Sequence, residues 1–314
     1  MKIKLKIISP VHIGSGEEIS PVEYLVDKDK FIRLNMEGLF KDKDFKKYQE
    51  RFIERASYSR YIGDFIPPEV LKSYPLYTIQ ISSEAERYLQ EHKTVVKSII
   101  KSAGRAFIPG SSLKGSILSG VMYGILKDKK NINLRDYSSL LDRVIGEISE
   151  RPQNKRFSRW LDVVDSDFKR PEEALQLSLA KLVGARTGKE MPILYETIKE
   201  DIEFSSEIKT GLNSVDKWGK LTEEKILKIA DEFYRKIYRK EEQFYKIPIS
   251  QEKYLLRLGQ GSSAYSTSLL ILAEKLGIKY TIQRPPFHRV FGPPRTRKLI
   301  SDKKPLGWVE ISYD

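Results

Sequence analysis

Two hydroxyl residues and a lysine stand close together where a helix is expected to begin. Residues 110–116 read Gly-Ser-Ser-Leu-Lys-Gly-Ser and precede an apolar run. Backbone amides and the dipole at a helix N-terminus favour a phosphate, which Ser111, Ser112 and Lys114 would help to bind. The Lys-Gly-Ser order reverses the Gly-Lys-Ser order of a P-loop, so ATP hydrolysis is not supported. The alternative is a plain helix cap with an exposed lysine.

A second loop of this kind follows a predicted strand late in the chain. Residues 257–263 read Arg-Leu-Gly-Gln-Gly-Ser-Ser, and a helix is expected after them. Glycine lets backbone amides approach a phosphate closely. The candidate binding residues here are Arg257, Gly259, Gln260, Gly261 and Ser262. Two such loops in one basic chain are stronger evidence than one.

Basic and aromatic side chains are mixed in two further segments. Residues 151–160 carry four basic residues with Phe157 and Trp160, and residues 284–304 carry seven basic residues with two phenylalanines. Cations neutralise phosphates and rings stack on bases, so both segments suit single-stranded RNA or DNA. The alternative places the rings in the core and only the cations outside. The candidate RNA contacts in these two segments are Arg151, Lys155, Arg156, Arg159, Arg289, Arg295 and Arg297. Arg105 is a further candidate.

Residues suited to catalysis are few. The chain has no cysteine and three histidines, His12, His92 and His288, which lie far apart in sequence. Disulfides, thiolate metal sites and a cysteine nucleophile are therefore excluded, and we expect no metal or cofactor. His12 stands in a glycine turn with Gly14 and could act as a general acid or base, but a lone loop histidine is more often structural.

The positive charge is concentrated in a few segments. The 314 residues have a formal net charge of +13, and residues 93–114 contain five basic and no acidic residues. This segment and the two mixed segments together account for the whole surplus of positive charge. A polyanion is therefore the favoured partner. The alternative is a lysine-rich, thermophile-like surface. No segment is apolar enough for a signal peptide or a membrane span, so we expect a cytoplasmic protein without membrane contact.

The hydrophobic pattern predicts mixed strands and helices. Alternation or extended composition predicts strands at residues 2–8, 77–81, 95–100, 106–108, 160–164, 175–182, 192–208, 254–258 and 308–313, and a hairpin at 22–34 that returns toward the first strand. Helices are predicted at residues 39–56, 113–126 with a hydroxyl cap, and 222–245 with a Thr222 cap. The order of elements favours an α+β protein with ferredoxin-like units over a doubly wound parallel sheet.

As an ordered set, these motifs resemble the RAMP superfamily of CRISPR RNA-binding proteins. The resemblance is carried by His-Ile-Gly-Ser-Gly at 12–16, Ile-Pro-Gly-Ser-Ser-Leu-Lys-Gly at 108–115 and the glycine loop at 259–263. Five segments, one of which includes most of the glycine loop, are similar to the fifth-subunit family of type III-A Csm effector complexes. They are Ile-Ser-Pro-Val-Glu-Tyr at 19–24, Leu-Asp-Val-Val-Asp-Ser-Asp at 161–167, Arg-Leu-Gly-Gln-Gly-Ser at 257–262, Pro-Arg-Thr-Arg at 294–297 and Pro-Leu-Gly-Trp at 305–308.

The resemblance implies two RRM-like (ferredoxin-like) RAMP folds with helical insertions. We expect an N-terminal RAMP domain at residues 1–210, a helical segment at 211–246 and a C-terminal portion at 247–314 that completes the second unit. The implied role is to bind crRNA, to cap the filament near the 3′ end of the guide and to assist maturation of that end. The implied partners are crRNA as single-stranded RNA, the neighbouring backbone RAMP subunit, the small subunit of the Csm complex and host nucleases.

One position argues against cleavage of target RNA. Sister subunits that cut the target have an aspartate directly before a Ser-Pro-Val-like segment, whereas Ile19 stands there in this chain. We therefore expect a non-catalytic, crRNA-binding subunit. One alternative is a metal-independent crRNA-processing endoribonuclease that uses His12 as general acid or base and Lys114 to stabilise the transition state. Another is a protein-interaction cap without RNA contact.

Overall fold

The computed structural model combines two main β-sheets with helices, and the α+β prediction is confirmed. The described residues are 1–56, 58, 60–128, 160–183, 190–210, 222–242, 244–245, 247–261, 266, 270–275, 283–284, 287–288, 297–300 and 304–313. Strands and helices are numbered below in chain order.

The first sheet has five antiparallel strands and contains both the first and the last described strand. Its order is β13 (Tyr254–Arg257), β18 (Trp308–Ser312), β1 (Lys2–Ile7), β12 (Glu203–Thr210) and β9 (Leu161–Val163). As its alternation predicts, β1 buries Ile3, Leu5 and Ile7. Strands from residues 1–210 and from residues 247–314 share this sheet. The predicted division into an N-terminal domain, a helical segment and a C-terminal portion therefore stays a prediction.

The second sheet is larger and mixes parallel with antiparallel pairs. Its order is β2 (Gly14–Ile19), β6 (Val96–Ile99), β11 (Glu190–Ile198), β10 (Leu175–Val183), β5 (Pro75–Ile81), β4 (Lys30–Leu34) and β3 (Tyr24–Asp27), with β16 (Arg297–Ile300) on β10 and β17 (Lys304–Pro305) on β16. The predicted hairpin is β3–β4, but its expected position is wrong. It lies at the edge of this sheet, because β4 pairs with β5 and not with β1.

Two short hairpins and the helices complete the described part of the chain. The hairpins are β7 (Lys101–Ser102) with β8 (Arg105–Ala106) and β14 (Gln283–Arg284) with β15 (Phe287–His288). The α-helices are α1 (Met36–Lys41), α2 (Gln49–Ala56), α3 (Pro68–Leu71), α4 (Ser83–Glu91), α5 (Gly110–Leu126), α6 (Pro171–Ala174), α7 (Glu223–Glu241) and α8 (Leu270–Lys275). Short 3-10 helices occur at Pro21–Glu23, Phe45–Tyr48 and Ile62–Asp64.

The helix predicted at residues 39–56 is interrupted in the structure. The Asp42 carboxylate accepts a hydrogen bond from the backbone N–H of Asp44 at 2.6 Å. Such a local bond competes with the helical pattern, and α1 ends before it. The aromatic side chains that suggested one helix still meet, since the Phe52 ring centre lies 5.1 Å from that of Phe40 and 6.0 Å from that of Phe45.

Helices α5 and α7 cross at very close range. A Cβ on Gly120 would lie 2.5 Å from Ala230 Cα, and a Cβ on Gly124 would lie 2.3 Å from Ile229 Cγ2. These two glycines therefore allow the close approach of α5 to α7. The predicted cap of α5 is wrong, because the helix begins at Gly110 and its N-cap residue is Pro109.

Candidate nucleic-acid interface

His12 is held in the interior with one ring nitrogen fixed. The residue is 2% exposed, and its Nδ1 lies 2.7 Å from the backbone carbonyl oxygen of Glu196. Because a carbonyl oxygen only accepts, Nδ1 carries the proton and donates it. The Tyr195 ring packs against the imidazole with the ring centres 4.5 Å apart. Burial lowers the pKa of His12, so the ring is neutral near pH 7 and Nε2 keeps a lone pair.

The predicted glycine loop contacts the turn that contains His12. Gln260 donates its backbone N–H to the carbonyl oxygen of His12 at 2.7 Å. Gly259 has a φ of +67°, and a Cβ there would lie 2.1 Å from the same oxygen. Gly261 has a φ of +84°, and a Cβ there would lie 2.5 Å from Leu306 Cβ. Both positions need glycine, so two motifs from opposite ends of the chain form one surface.

Lys298 belongs to this surface, although the sequence did not single it out. Its Nζ donates to the Tyr195 hydroxyl and to Gln260 Oε1, each at 3.0 Å. Lys298 was visible only as one cation among the seven basic residues of the segment at 284–304. Strand β16 carries it to β10, and the glycine loop lies alongside. The structure therefore places one ammonium group beside both candidate motifs.

Glu196 stabilises the strands that carry this surface through hydrogen bonds to its buried carboxylate. Its carboxylate is fully buried and accepts hydrogen bonds from Lys101 Nζ at 2.5 Å and from the Ile99 backbone N–H at 3.0 Å. The Tyr77 hydroxyl donates to the other oxygen at 2.5 Å, and burial raises the pKa of Tyr77. This network joins β5, β6 and β11. The signal in the sequence was an acidic residue that directly follows the apolar run at 192–195.

Arg257 was predicted to bind RNA, but the structure places its guanidinium in the interior. The residue is 3% exposed and donates to the Glu241 carboxylate at 2.6 Å, to the Gly261 carbonyl at 2.7 Å and to the Leu306 carbonyl at 3.1 Å. The guanidinium carbon lies 4.9 Å from the centre of the Trp308 ring. Since its donors are engaged in the interior, Arg257 holds the glycine loop in place instead of offering a charge at the surface.

The start of α5 carries a carboxylate of the protein itself. Asp165 Oδ1 accepts the backbone N–H of Gly110 at 2.7 Å. A phosphate at this helix end would meet that negative charge, which weakens the argument from the helix dipole. Ser111 is exposed, and Ser112 and Lys114 are half-buried. Lys114 supplies the positive charge of this motif.

A hydrogen bond connects α5 with the strand that leads into the glycine loop. Ser116 donates its hydroxyl to the backbone carbonyl of Arg257 at 3.0 Å. Ser112 lies one helical turn before Ser116 and shares its side of the helix. The serine-lysine motif is thus positioned next to the end of β13, near the glycine loop.

Two of the five cations in the basic segment at residues 93–114 are neutralised by carboxylates. Lys93 donates to the Leu89 carbonyl, Lys97 pairs with Glu18, and Lys101 pairs with Glu196. Within the described part of the chain, Arg105 and Lys114 have no ion-pair partner. Arg105 is exposed in the β7–β8 hairpin. These two cations are the ones in this segment that remain available to an anion.

Most of the remaining candidate residues lie outside the part of the chain that the structure describes. Seven of them are not described: Arg151, Lys155, Arg156, Arg159, Ser262, Arg289 and Arg295. Arg297 is described only as part of β16. Among the described residues, no group of three His, Asp or Glu side chains is placed to hold a metal ion. The same residues include no helix that is long and apolar enough to cross a membrane.

Comparison with known proteins agrees with these motifs. The model of the RAMP superfamily matches residues 4–264. Two curated relatives are named CRISPR system Cms protein Csm5. The one from Streptococcus thermophilus is 26% identical over 296 residues, 87% of this chain and 81% of that protein. The one from Methanocaldococcus jannaschii is 26% identical over 183 residues, 53% of this chain and 42% of that protein. The match therefore spans less than half the length of the archaeal relative.

Solved structures show the same fold. A chain of the Csm-crRNA-target RNA ternary complex of a type III-A CRISPR-Cas system superposes with a TM-score of 0.73 at 22% identity, over 99% of this chain and all of that one. The crystal structure of Csm5 from T. onnurineus gives 0.67 at 21% identity, over 98% of this chain and 99% of that one. The prediction of two ferredoxin-like units and both predicted resemblances are confirmed.

Proposed function

The chain belongs to the RAMP superfamily, and on that premise we propose that it is a crRNA-binding, non-catalytic subunit of a type III-A Csm effector complex. In this proposal it caps the filament at the 3′ end of the crRNA and is needed for maturation of that end in antiviral defence. Its partners are the crRNA, the neighbouring backbone RAMP subunit, the small subunit and nucleases of the host. Its relatives named Csm5 and the solved Csm-crRNA complex support this assignment.

The observation that carries the proposal is the joining of the His12 turn to the glycine loop. The hydrogen bond from Gln260 N–H to the His12 carbonyl and the position of Lys298 combine closely packed backbone, polar groups and a cation on one surface. Backbone groups and cations of this kind contact phosphates and sugars. Binding through phosphates requires no particular base sequence, as suits a subunit that must accept any guide.

The environment of His12 favours holding RNA over cutting it. General acid-base catalysis needs a group that both accepts and donates a proton at the reacting atoms. The Nδ1–H of His12 is fixed on Glu196, and burial opposes the charged ring that would form when Nε2 accepts a proton. Lys298 and Lys101 oppose it further by their positive charge.

One assay separates the three functions considered for this chain. Purified protein is incubated with end-labelled crRNA, with and without EDTA, and both the bound fraction and the RNA length are measured at rising salt. We expect affinity to fall steeply with salt and the RNA to stay intact. If the wild type shortens the RNA and the His12→Asn variant does not, the chain is an endoribonuclease instead. Absence of salt-sensitive binding would leave the protein-interaction cap.

The position in the filament needs a separate experiment. The complex is assembled from all Csm subunits with crRNA that carries a photoreactive nucleotide at its 3′ or its 5′ end. We expect this chain to crosslink to the 3′ label, and omission of the chain to leave crRNA with longer 3′ ends. Crosslinking to the 5′ label, or unchanged 3′ ends, would contradict the capping role.

A further inference from the structure

His12 has a second ring nitrogen that the fold does not use. Nδ1 is bonded to the carbonyl of Glu196, whereas within the described part of the chain Nε2 has no hydrogen-bond partner. The residue is 98% buried, since 2% of it is exposed. Nε2 is not sealed from solvent, so a ligand that can donate a hydrogen bond can replace the water there. The fixed tautomer makes Nε2 an acceptor, so the missing partner is a hydrogen-bond donor.

Gly14 lies directly in front of this nitrogen. A Cβ built on Gly14 would lie 3.2 Å from His12 Nε2, so any larger residue would crowd the approach. Gly14 is exposed, and so are the following residues of β2 up to Glu18. A ligand can therefore reach Nε2 over the bare backbone of Gly14.

The chemistry around the opening suits a nucleic-acid backbone more than a base. The rings next to the site, His12 and Tyr195, pack on each other and are buried, so neither offers a free face for stacking. The ammonium group of Lys298 suits phosphate oxygens, which only accept. Glu18, the acid at the end of the exposed stretch, is paired with Lys97. At internal nucleotides, the only hydrogen-bond donor on the sugar-phosphate backbone is the ribose 2′-hydroxyl, which DNA lacks.

We propose that His12 Nε2 accepts a hydrogen bond from a ribose 2′-hydroxyl at Gly14, and that this turn lets the protein distinguish RNA from DNA. The inference rests on the proposed function, because it names the group of the bound RNA that this part of the surface recognises. His12 is a binding residue here, and no bond is made or broken.

The test uses the full chain and three single-stranded oligonucleotides of one sequence: RNA, 2′-fluoro RNA and DNA. The 2′-fluoro form keeps a substituent of similar size but cannot donate. We expect the wild type to bind RNA about two- to tenfold more tightly than 2′-fluoro RNA, the range for one hydrogen bond. In His12→Asn, whose amide N–H can still donate to Glu196, we expect that ratio to fall to about one.

A second variant tests the same site without changing His12, so that the test does not depend on whether His12→Asn folds. Gly14→Ala should also lower the RNA preference, because its methyl group covers Nε2. Lys253→Ala is the control, since Lys253 precedes β13 at the end away from the glycine loop, and it should keep the wild-type ratio. Equal wild-type binding of RNA and 2′-fluoro RNA, or a preference retained in both His12→Asn and Gly14→Ala, would overturn the inference while RNA binding itself stood. Failure of the wild type to bind any of the three would overturn the proposed function as well.

Discussion

At the scale of single residues, Lys114 and Arg257 differ although both were candidates for RNA contact. Lys114 is half-buried and has no ion-pair partner in the described part of the chain, whereas Arg257 is surrounded by internal acceptors. A charge acts on a ligand only where solvent and ligand can reach it. The two residues therefore support different predictions.

Lys114→Ala should weaken RNA binding to a similar degree for every sequence. Loss of one phosphate contact lowers the slope of log affinity against log salt by about one. Affinity for several unrelated oligonucleotides is measured at a series of salt concentrations. Lys253→Ala is the control, because Lys253 is also half-buried and precedes β13 at the end away from the glycine loop. Unchanged affinity and slope in Lys114→Ala would remove Lys114 from the interface.

Arg257→Gln should destabilise the protein without changing the salt slope. The substitution leaves the buried Glu241 carboxylate without the guanidinium 2.6 Å away, and breaking such a pair costs about 3–5 kcal/mol. Urea unfolding measures the free energy, and binding at several salt concentrations measures the slope. A lower slope with unchanged stability would show that Arg257 contacts phosphate after all.

The buried imidazole of His12 should make stability depend on pH. Burial is the largest cause of its lowered pKa, the Glu196 contacts oppose this, and the charges of Lys298 and Lys101 add to it. The unfolded chain therefore takes up a proton first, so this stabilisation is complete above about pH 6.5 and declines as the pH falls below it. The unfolding free energy of the wild type minus that of His12→Asn should shrink between pH 7.5 and pH 5.5. A difference that grows on acidification would contradict the neutral buried ring.

At the scale of elements, the α5–α7 contact orients the serine-lysine motif. Gly120 lets the two helices approach at Ala230, and Ser116 on α5 bonds to the end of β13. Displacing α5 would therefore move Lys114 relative to the glycine loop. The same helix also contains a glycine that faces open space, which provides an internal comparison.

Gly120→Ala should destabilise the protein, and Gly115→Ala should stabilise it. A Cβ at position 120 would lie 2.5 Å from Ala230 Cα, whereas one at position 115 meets nothing within 4 Å. Overpacking costs about 1–3 kcal/mol, and replacing a freely placed helical glycine by alanine gains about 0.5–1 kcal/mol. Thermal or urea unfolding of both variants checks the signs. Equal effects at the two positions would contradict the close crossing.

At the scale of the whole molecule, the last described strand pairs with the first. Strand β18 lies between β1 and β13 in the first sheet, and Trp308 on it is fully buried. The backbone carbonyl of Trp308 also accepts the N–H groups of Ile8 and Ser9, just before the His12 turn. The last strand thus supports both the sheet and the candidate interface.

Removal of residues 304–314 should abolish cooperative folding of the first sheet and with it RNA binding. The deletion leaves β1 and β13 without the strand that joins them, and unpaired buried backbone groups are costly. Circular dichroism during heating and an RNA-binding assay measure both effects, and a chain that lacks only Asp314 is the control. A shortened chain that unfolds cooperatively at the wild-type temperature would show that β18 is dispensable.

The sequence by itself determined the class of fold, most strands, the long capped helix and the two loop motifs, because local alternation, helix caps and glycine record local constraints. It also indicated an anionic partner through the clustering of charge. Only the tertiary structure decided which cations remain available, since Lys101 and Arg257 are engaged by carboxylates distant in sequence. It likewise decided that His12, Gln260 and Lys298 meet. Contacts of this kind depend on long-range strand pairing, which no local pattern of residues specifies.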